Sequence, residues 1–259
     1  MDNNIINPTV ELEQIKEEVI DYKIFMNERN KGNYSIDGAV NIDKWNASKY
    51  KILFVLKETA GYQNCNIFEL QDELKSVWLR YKQSFKNGKR QNPTYKNAAW
   101  LAKSLQIALE NNRILTQVEI KNMDTKPESL TEASLTEAID YCAIINLKKH
   151  SNPNPDKKSN DEDIRSEYRE NKKLLEWQIK ELSPNVVVAG SSVVWECLSN
   201  KGNGLYKDII TSNLRKNECK SFNGIVFYHA YHPSAYGKYK WDIHKIHKQI
   251  FGEIKLTIV

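Results

Sequence analysis

The chain is poor in the residues that mark several large functional classes. Its 259 residues include four cysteines, and Cys65, Cys142, Cys197 and Cys219 are scattered, with no Cys-x-x-Cys pair. Zinc knuckles and recognisable iron–sulfur sites need closely spaced thiolates, so neither is expected, and a reduced cytoplasmic protein with isolated thiols is. No apolar run approaches membrane-spanning length and the start, Met-Asp-Asn-Asn, is polar, so membrane insertion and secretion are not expected either. Charge of one sign is nearly balanced: 38 basic and 33 acidic residues leave +5. A polyanionic partner is permitted by that excess and not demanded by it.

Apolar residues make up 40% of the chain, enough for a sizeable core, and nothing marks a clean division, so residues 1–259 read as a single domain. Residues 1–45 read as its N-terminal helical extension, because Leu12, Ile15, Val19, Tyr22 and Met26 recur at helical spacing over 9–29. Four short apolar runs read as buried strands, at 50–56, 142–145, 186–189 and 225–228. Between and after them the pattern predicts helices at 68–85, 97–111, 163–182, after Gly190-Ser191-Ser192, and at 240–251. The pentad Ser-Leu-Thr-Glu-Ala stands twice in tandem at 129–138. That is too short for a solenoid, and Ser134 with Glu137 reads as a capping box. Residues 151–163 are polar with two prolines and read as an exposed loop. Strands alternating with helices predict an α/β fold: a three-layer α/β/α sandwich around a short, mostly parallel four-stranded sheet.

In such sheets the ligand crevice lies beyond the carboxyl ends of the strands. Polar segments collect there at 57–62, 146–150, 190–192 and 232–240. The last belongs to "YHAYHPSAYGKYK", which sets a histidine against a proline and follows with small, aromatic and basic residues.

"KILFVLKETAGY", "AIINLKK", "NVVVAGSSVVWECL" and "VFYHAYHPSAYGK" together resemble the uracil-DNA glycosylase superfamily, over residues 50–62, 141–150 and 184–240. In that superfamily the first strand ends in a motif with a water-handling polar residue, the second in a base-reading asparagine, and the fourth in His-Pro-Ser. The resemblance implies a cofactor-free, monomeric DNA glycosylase that flips a base and hydrolyses its N-glycosidic bond. It gives Glu58 the water and His232 the leaving base, makes Asn146 the reader of the base edge, and leaves Tyr62 or Phe68 to stack on the base. Tyr236 falls where the family inserts a wedge. Lys238, Lys240, Ser234 and the helix start at Ser191 and Ser192 fall where the DNA backbone is held.

Three departures bear on the substrate. Lys57 replaces the motif's opening glycine and adds a possible phosphate contact. Ala60 replaces its proline. Gly61 stands where strict uracil enzymes carry a tyrosine that excludes 5-substituted pyrimidines. Uracil is therefore the default substrate, and a bulkier 5-modified pyrimidine, in repair or in defence against modified foreign DNA, is the alternative. Two rival classes fit the same residues: a binding protein that kept the fold without catalysis, and a hydrolase of small nucleosides or nucleotides. Among the other histidines, His229 reads as structural. His244 and His247, three apart on the last helix, read as a solvated or phosphate-facing pair and not as a metal site.

Overall fold

The computed structural model describes residues 38–58, 93–120, 140–149, 159–199, 204–210, 213–235 and 241–258. The predicted helices at 9–29 and 68–85, the Ser134–Glu137 capping box, and Gly61, Tyr62, Phe68, Tyr236, Lys238 and Lys240 lie outside the described residues.

The strands are β1 (Gly38–Ala39), β2 (Ile52–Leu56), β3 (Cys142–Asn146), β4 (Val186–Ala189), β5 (Glu218–Phe222) and β6 (Ile225–His229). They form one mixed six-stranded sheet in the order β1-β3-β2-β4-β6-β5. The four strands read from apolar runs are its centre, paired in parallel as β3-β2-β4-β6. The predicted four-stranded sheet is thus corrected to six strands, because β1 and β5 each add an antiparallel edge. Neither edge carries the apolar run of a strand buried on both faces. β1 has two residues, and β5 reads Glu-Cys-Lys-Ser-Phe with Lys220 exposed. A two-residue turn joins β5 to β6. Asn223 at φ 47° and Gly224 at φ 81° both occupy the left-handed region that a primed hairpin turn requires.

The helices that lie wholly among the described residues are α1 (Ile42–Ala47), α2 (Pro93–Glu110), α3 (Asp161–Leu182), α4 (Ser192–Leu198) and α5 (Ile243–Ile258). α2 begins four residues earlier than its apolar spacing predicts, and α5 runs on to Ile258. α3 opens on a capping box in which the Asn160 side chain accepts from the Asp163 N–H and Asp163 bonds back to the Asn160 N–H. Asp161, Glu162 and Asp163 add negative charge in its first turn, where the helix dipole favours it. Ser183 at φ 43° then stops the helix, ahead of Pro184.

Alternation along the strands divides the core in two. Ile52, Phe54, Val186, Val188, Val226 and Tyr228 face α2 and α5. Leu53, Val55, Val187, Ala189 and Phe227 face α3 and α4, with Trp45 of α1 in the same layer. Helices therefore cover both faces of the sheet, and the parallel strands stay dry on both sides. Trp45 is 1% exposed and its Nε1 donates to the Leu182 carbonyl at 3.2 Å, while β1 pairs with β3. Residues 38–45 are therefore built into the sheet and core.

The reading of His244 and His247 as a solvated or phosphate-facing pair is corrected for His247, which is fully buried between α5 and α2. Its Nε2 accepts the Leu115 N–H at 3.2 Å, which places the proton on Nδ1, 3.2 Å from the Ser104 hydroxyl. Burial, helped by His244, lowers its pKa from 6.5 to about 4. The unfolded chain therefore takes up this proton first as pH falls. The ring's contribution is complete above about pH 6.5 and is lost on the way down to pH 4. Between pH 7 and 4.5 this one group is expected to withdraw about 2 kcal/mol of stability. His247→Gln should be less stable at pH 7 in urea titrations and should lose correspondingly less on acidification. An equal acid loss in both proteins would contradict the neutral buried imidazole.

Candidate functional site

Parallel pairing sets the strand ends level. Leu56 pairs with Asn146, Val55 with Ala189, and Ala189 with His229. The ladder continues past the strands: the Lys148 N–H donates to the Lys57 carbonyl at 2.9 Å, the Gly190 N–H to Val55 at 2.9 Å and the Ala230 N–H to Ala189 at 2.8 Å. Glu58, Asn146, Ser191 and His232 thus emerge at one end of the sheet, along the edge formed by the carboxyl termini of its parallel strands.

His232 opens a tight turn in which the Ala235 N–H donates to its carbonyl at 2.8 Å. The ring is anchored within that turn. The Ser234 N–H donates to Nδ1 at 3.2 Å, and the Ser234 hydroxyl lies 2.7 Å from the same nitrogen. A nitrogen that accepts a backbone N–H carries no proton, so this contact favours the tautomer protonated on Nε2. Ser234 therefore orients His232, a use for its hydroxyl other than the DNA contact read from the sequence.

Two residues to which the sequence reading gave no part here lie against this turn. Asn97, in the first turns of α2, donates to the Pro233 carbonyl at 2.5 Å. Gly190 lies beneath it: a Cβ there would stand 2.7 Å from Leu56 Cδ2, 3.1 Å from the Val55 carbonyl oxygen and 3.5 Å from Pro233 Cδ. The missing side chain thus makes room for Leu56 and the Val55 carbonyl of β2, while Pro233 stands at ordinary van der Waals distance above. Behind it, Trp241 Nε1 donates to the Tyr231 carbonyl at 2.7 Å.

On the β2 side, the Glu58 side chain is 12% exposed and both its oxygens accept bonds from one residue. The Ser159 N–H reaches Oε1 at 2.9 Å and the Ser159 hydroxyl reaches Oε2 at 2.5 Å. Lys148 donates to that hydroxyl at 2.7 Å, with its Nζ 3.8 Å from Glu58 Oε2. Lys57 pairs with Asp161 of α3 at 2.5 Å, so a phosphate there would compete with a carboxylate already in place. The exposed loop read over 151–163 is corrected at its end: Ser159 is buried and 161–163 belong to α3. Its polar composition hid a contact 101 residues distant in sequence.

Asn146 closes β3 with 2% exposure, at the level of Leu56. Ser191 spends its hydroxyl on the N-cap of α4, accepting from the Val194 N–H at 3.3 Å, while Ser192 begins that seven-residue helix. His229 is structural: its ring stacks on Trp195 at 5.2 Å and Nδ1 lies 3.0 Å from the Leu214 carbonyl. Burial lowers its pKa. Burial also pushes the Cys197 thiol up to about 12 and raises those of Cys142 and Cys219, so none of the three is a thiolate nucleophile at neutral pH. Among the described residues, no group of three or more His, Cys, Asp or Glu side chains is arranged to hold a metal ion. Among them, too, no helix is long and apolar enough to cross a membrane.

This edge thus carries the His232 imidazole in its Ser234-anchored turn, a braced carboxylate at Glu58, and the Asn146 amide. Comparison with protein-family models, curated proteins and solved structures found no match to the chain.

The contact at Gly190 yields a test. Gly190→Ala must displace Leu56 and strain against the Val55 carbonyl. A loss on the order of 1–3 kcal/mol is expected in urea unfolding, together with shifted amide resonances for residues 55–58. Unchanged stability and unchanged resonances would show that the end of β2 does not depend on this glycine.

Proposed function

We propose that the chain is a monofunctional DNA glycosylase, acting at the edge where β2, β3 and β6 end. The observation that carries this reading is the His232 turn, in which the Ser234 N–H meets Nδ1 and favours a proton on Nε2, on the same sheet register that brings the Glu58 carboxylate and the Asn146 amide to the carboxyl ends of β2 and β3. Hydrolysis of an N-glycosidic bond requires those groups. As the bond from sugar to base breaks, its electron pair goes to the base and positive charge grows on the sugar. A fixed N–H donor stabilises the oxygen of the departing base at little reorganisation cost, and His232 supplies it. Glu58 orients a water toward the anomeric carbon, takes its proton and favours the sugar cation. Asn146 pairs with the edge of a base flipped out of the stack.

The resemblance of the strand-end motifs to the uracil-DNA glycosylase superfamily supports the same assignment, and uracil is its default substrate. Gly61, in place of a tyrosine, favours a roomier pocket that also takes a 5-substituted pyrimidine. Tyr236 serves as the wedge in the base stack, and Lys238 and Lys240 hold the phosphates. The enzyme works without a cofactor, as a monomer in the cytoplasm.

The test is a panel of oligonucleotides carrying uracil, thymine mismatches, deaminated purines and bulky 5-modified cytosines, followed by alkaline cleavage at abasic sites. The wild-type protein should cleave at least one member. Glu58→Gln and His232→Ala should each slow base release on the order of 10²-fold or more while unfolding as the wild type does. Excision by both variants at the wild-type rate would remove these residues from the site.

A second consequence concerns Tyr236. A wedge offsets the cost of unpairing and unstacking, a few kcal/mol that is smaller when the base is already unpaired. Tyr236→Ala is therefore expected to impair duplex substrates more than single-stranded ones, and equal losses on both would argue against a wedge.

A further inference from the structure

We infer that Ser159, backed by Lys148, is the positioning residue for the Glu58 carboxylate, an inference that rests on the proposed role of Glu58. Glu58 stands two residues past β2, where the strand no longer dictates its side-chain direction. The direction is set instead from the head of α3. The residue just before the N-cap gives one bond to each carboxylate oxygen, from its N–H at 2.9 Å and its hydroxyl at 2.5 Å. Two bonds from one residue fix both the place of the carboxylate and the plane in which it lies. Each oxygen keeps a lone pair for a water.

Lys148 completes a directional chain. Its ammonium donates to the Ser159 hydroxyl at 2.7 Å, which orients the hydroxyl proton toward Glu58. The lysine therefore polarises the serine O–H toward the carboxylate and stands 3.8 Å from Oε2, outside direct hydrogen-bond distance. Lys148 is placed for this by the ladder bond from its N–H to the Lys57 carbonyl. A second clasp, Lys57 with Asp161 at 2.5 Å, ties the same end of β2 to the first turn of α3. The Lys148 and Glu58 side chains are 10% and 12% exposed. Withdrawing a carboxylate and an ammonium from water is costly, and apolar side chains would close this edge with less penalty. The cluster is thus better explained by the orientation it imposes than by stability. Its arrangement departs from a serine nucleophile activated by lysine, because here the lysine donates to the serine and the serine donates to a carboxylate.

The test uses the full chain and the panel oligonucleotide that the wild-type protein cleaves. Ser159→Ala keeps the backbone bond and loses the hydroxyl, and is expected to lower kcat about 10-fold with KM within about twofold of wild type. Ser159→Thr, which retains a hydroxyl, should restore most of the rate, and Lys148→Met should reproduce the Ser159→Ala loss. In a Glu58→Gln background Ser159→Ala should cost nothing further, since both act through one group. A wild-type rate for Ser159→Ala would overturn the inference, as would a 10-fold loss that persists in the Glu58→Gln background. Excision by Glu58→Gln at the wild-type rate would instead strike the role of Glu58, and a wild-type protein that cleaves no panel member would strike the glycosylase reading; the inference falls with either. Urea midpoints of all variants separate these losses from unfolding.

Discussion

The in-register parallel pairing of β3, β2, β4 and β6 is the constraint on which everything else rests. Leu56 against Asn146, Val55 against Ala189, and Ala189 against His229 put the strand ends on one level. A strand slipped by one residue would turn its apolar set to the wrong face, so two-sided burial enforces the register. Ile52, Leu53, Phe54 and Val55 are all fully buried, and so are Val186, Val187, Val188 and Ala189. The core therefore does two things with one set of side chains. It stabilises the sheet, and it fixes where Glu58, Asn146 and His232 leave it.

Beyond the strands, positioning passes to short-range polar contacts. The His232 turn is held by Ser234 from within and by Asn97 at the Pro233 carbonyl. Glu58 is held by Ser159 and Lys148. Each device limits side-chain freedom at a point where backbone pairing has ended. Groups held in this way do not need to reorganise when charge develops on a bound molecule, and that is the condition for strong electrostatic stabilisation.

The central strands were legible because parallel strands buried on both faces read as continuous apolar runs, as Val186-Val-Val-Ala189 does. The edge strands were not. β1 is too short to show a pattern, and β5 places Lys220 in solvent between partly exposed neighbours. One signal for β5 was present in Asn223-Gly224, the dipeptide favoured in two-residue hairpin turns, just before the apolar run of β6. Ser159 was misread because local composition cannot register a partner 101 residues away. His247 was misread because helical spacing to His244 says nothing about which face the histidine presents; Ser104 and the Leu115 N–H decide that. The strand-end placement of His232 and Asn146 was legible because motifs and apolar runs carried it, and the contacts of Asn97, Lys148 and Ser159 were opaque because they join segments far apart in sequence.

The central claim is that one edge of the sheet handles a flipped base. The most direct measurement is a crystal structure of the protein with an oligonucleotide whose target sugar carries a 2′-fluorine, which disfavours the sugar cation and leaves the glycosidic bond intact. The account predicts a base turned out of the stack, with a carbonyl oxygen within hydrogen-bonding distance of His232 Nε2, Asn146 at its edge, and a water between Glu58 and the anomeric carbon. An oligonucleotide bound with its bases away from this edge, or an extruded base that touches neither His232 nor Asn146, would contradict it.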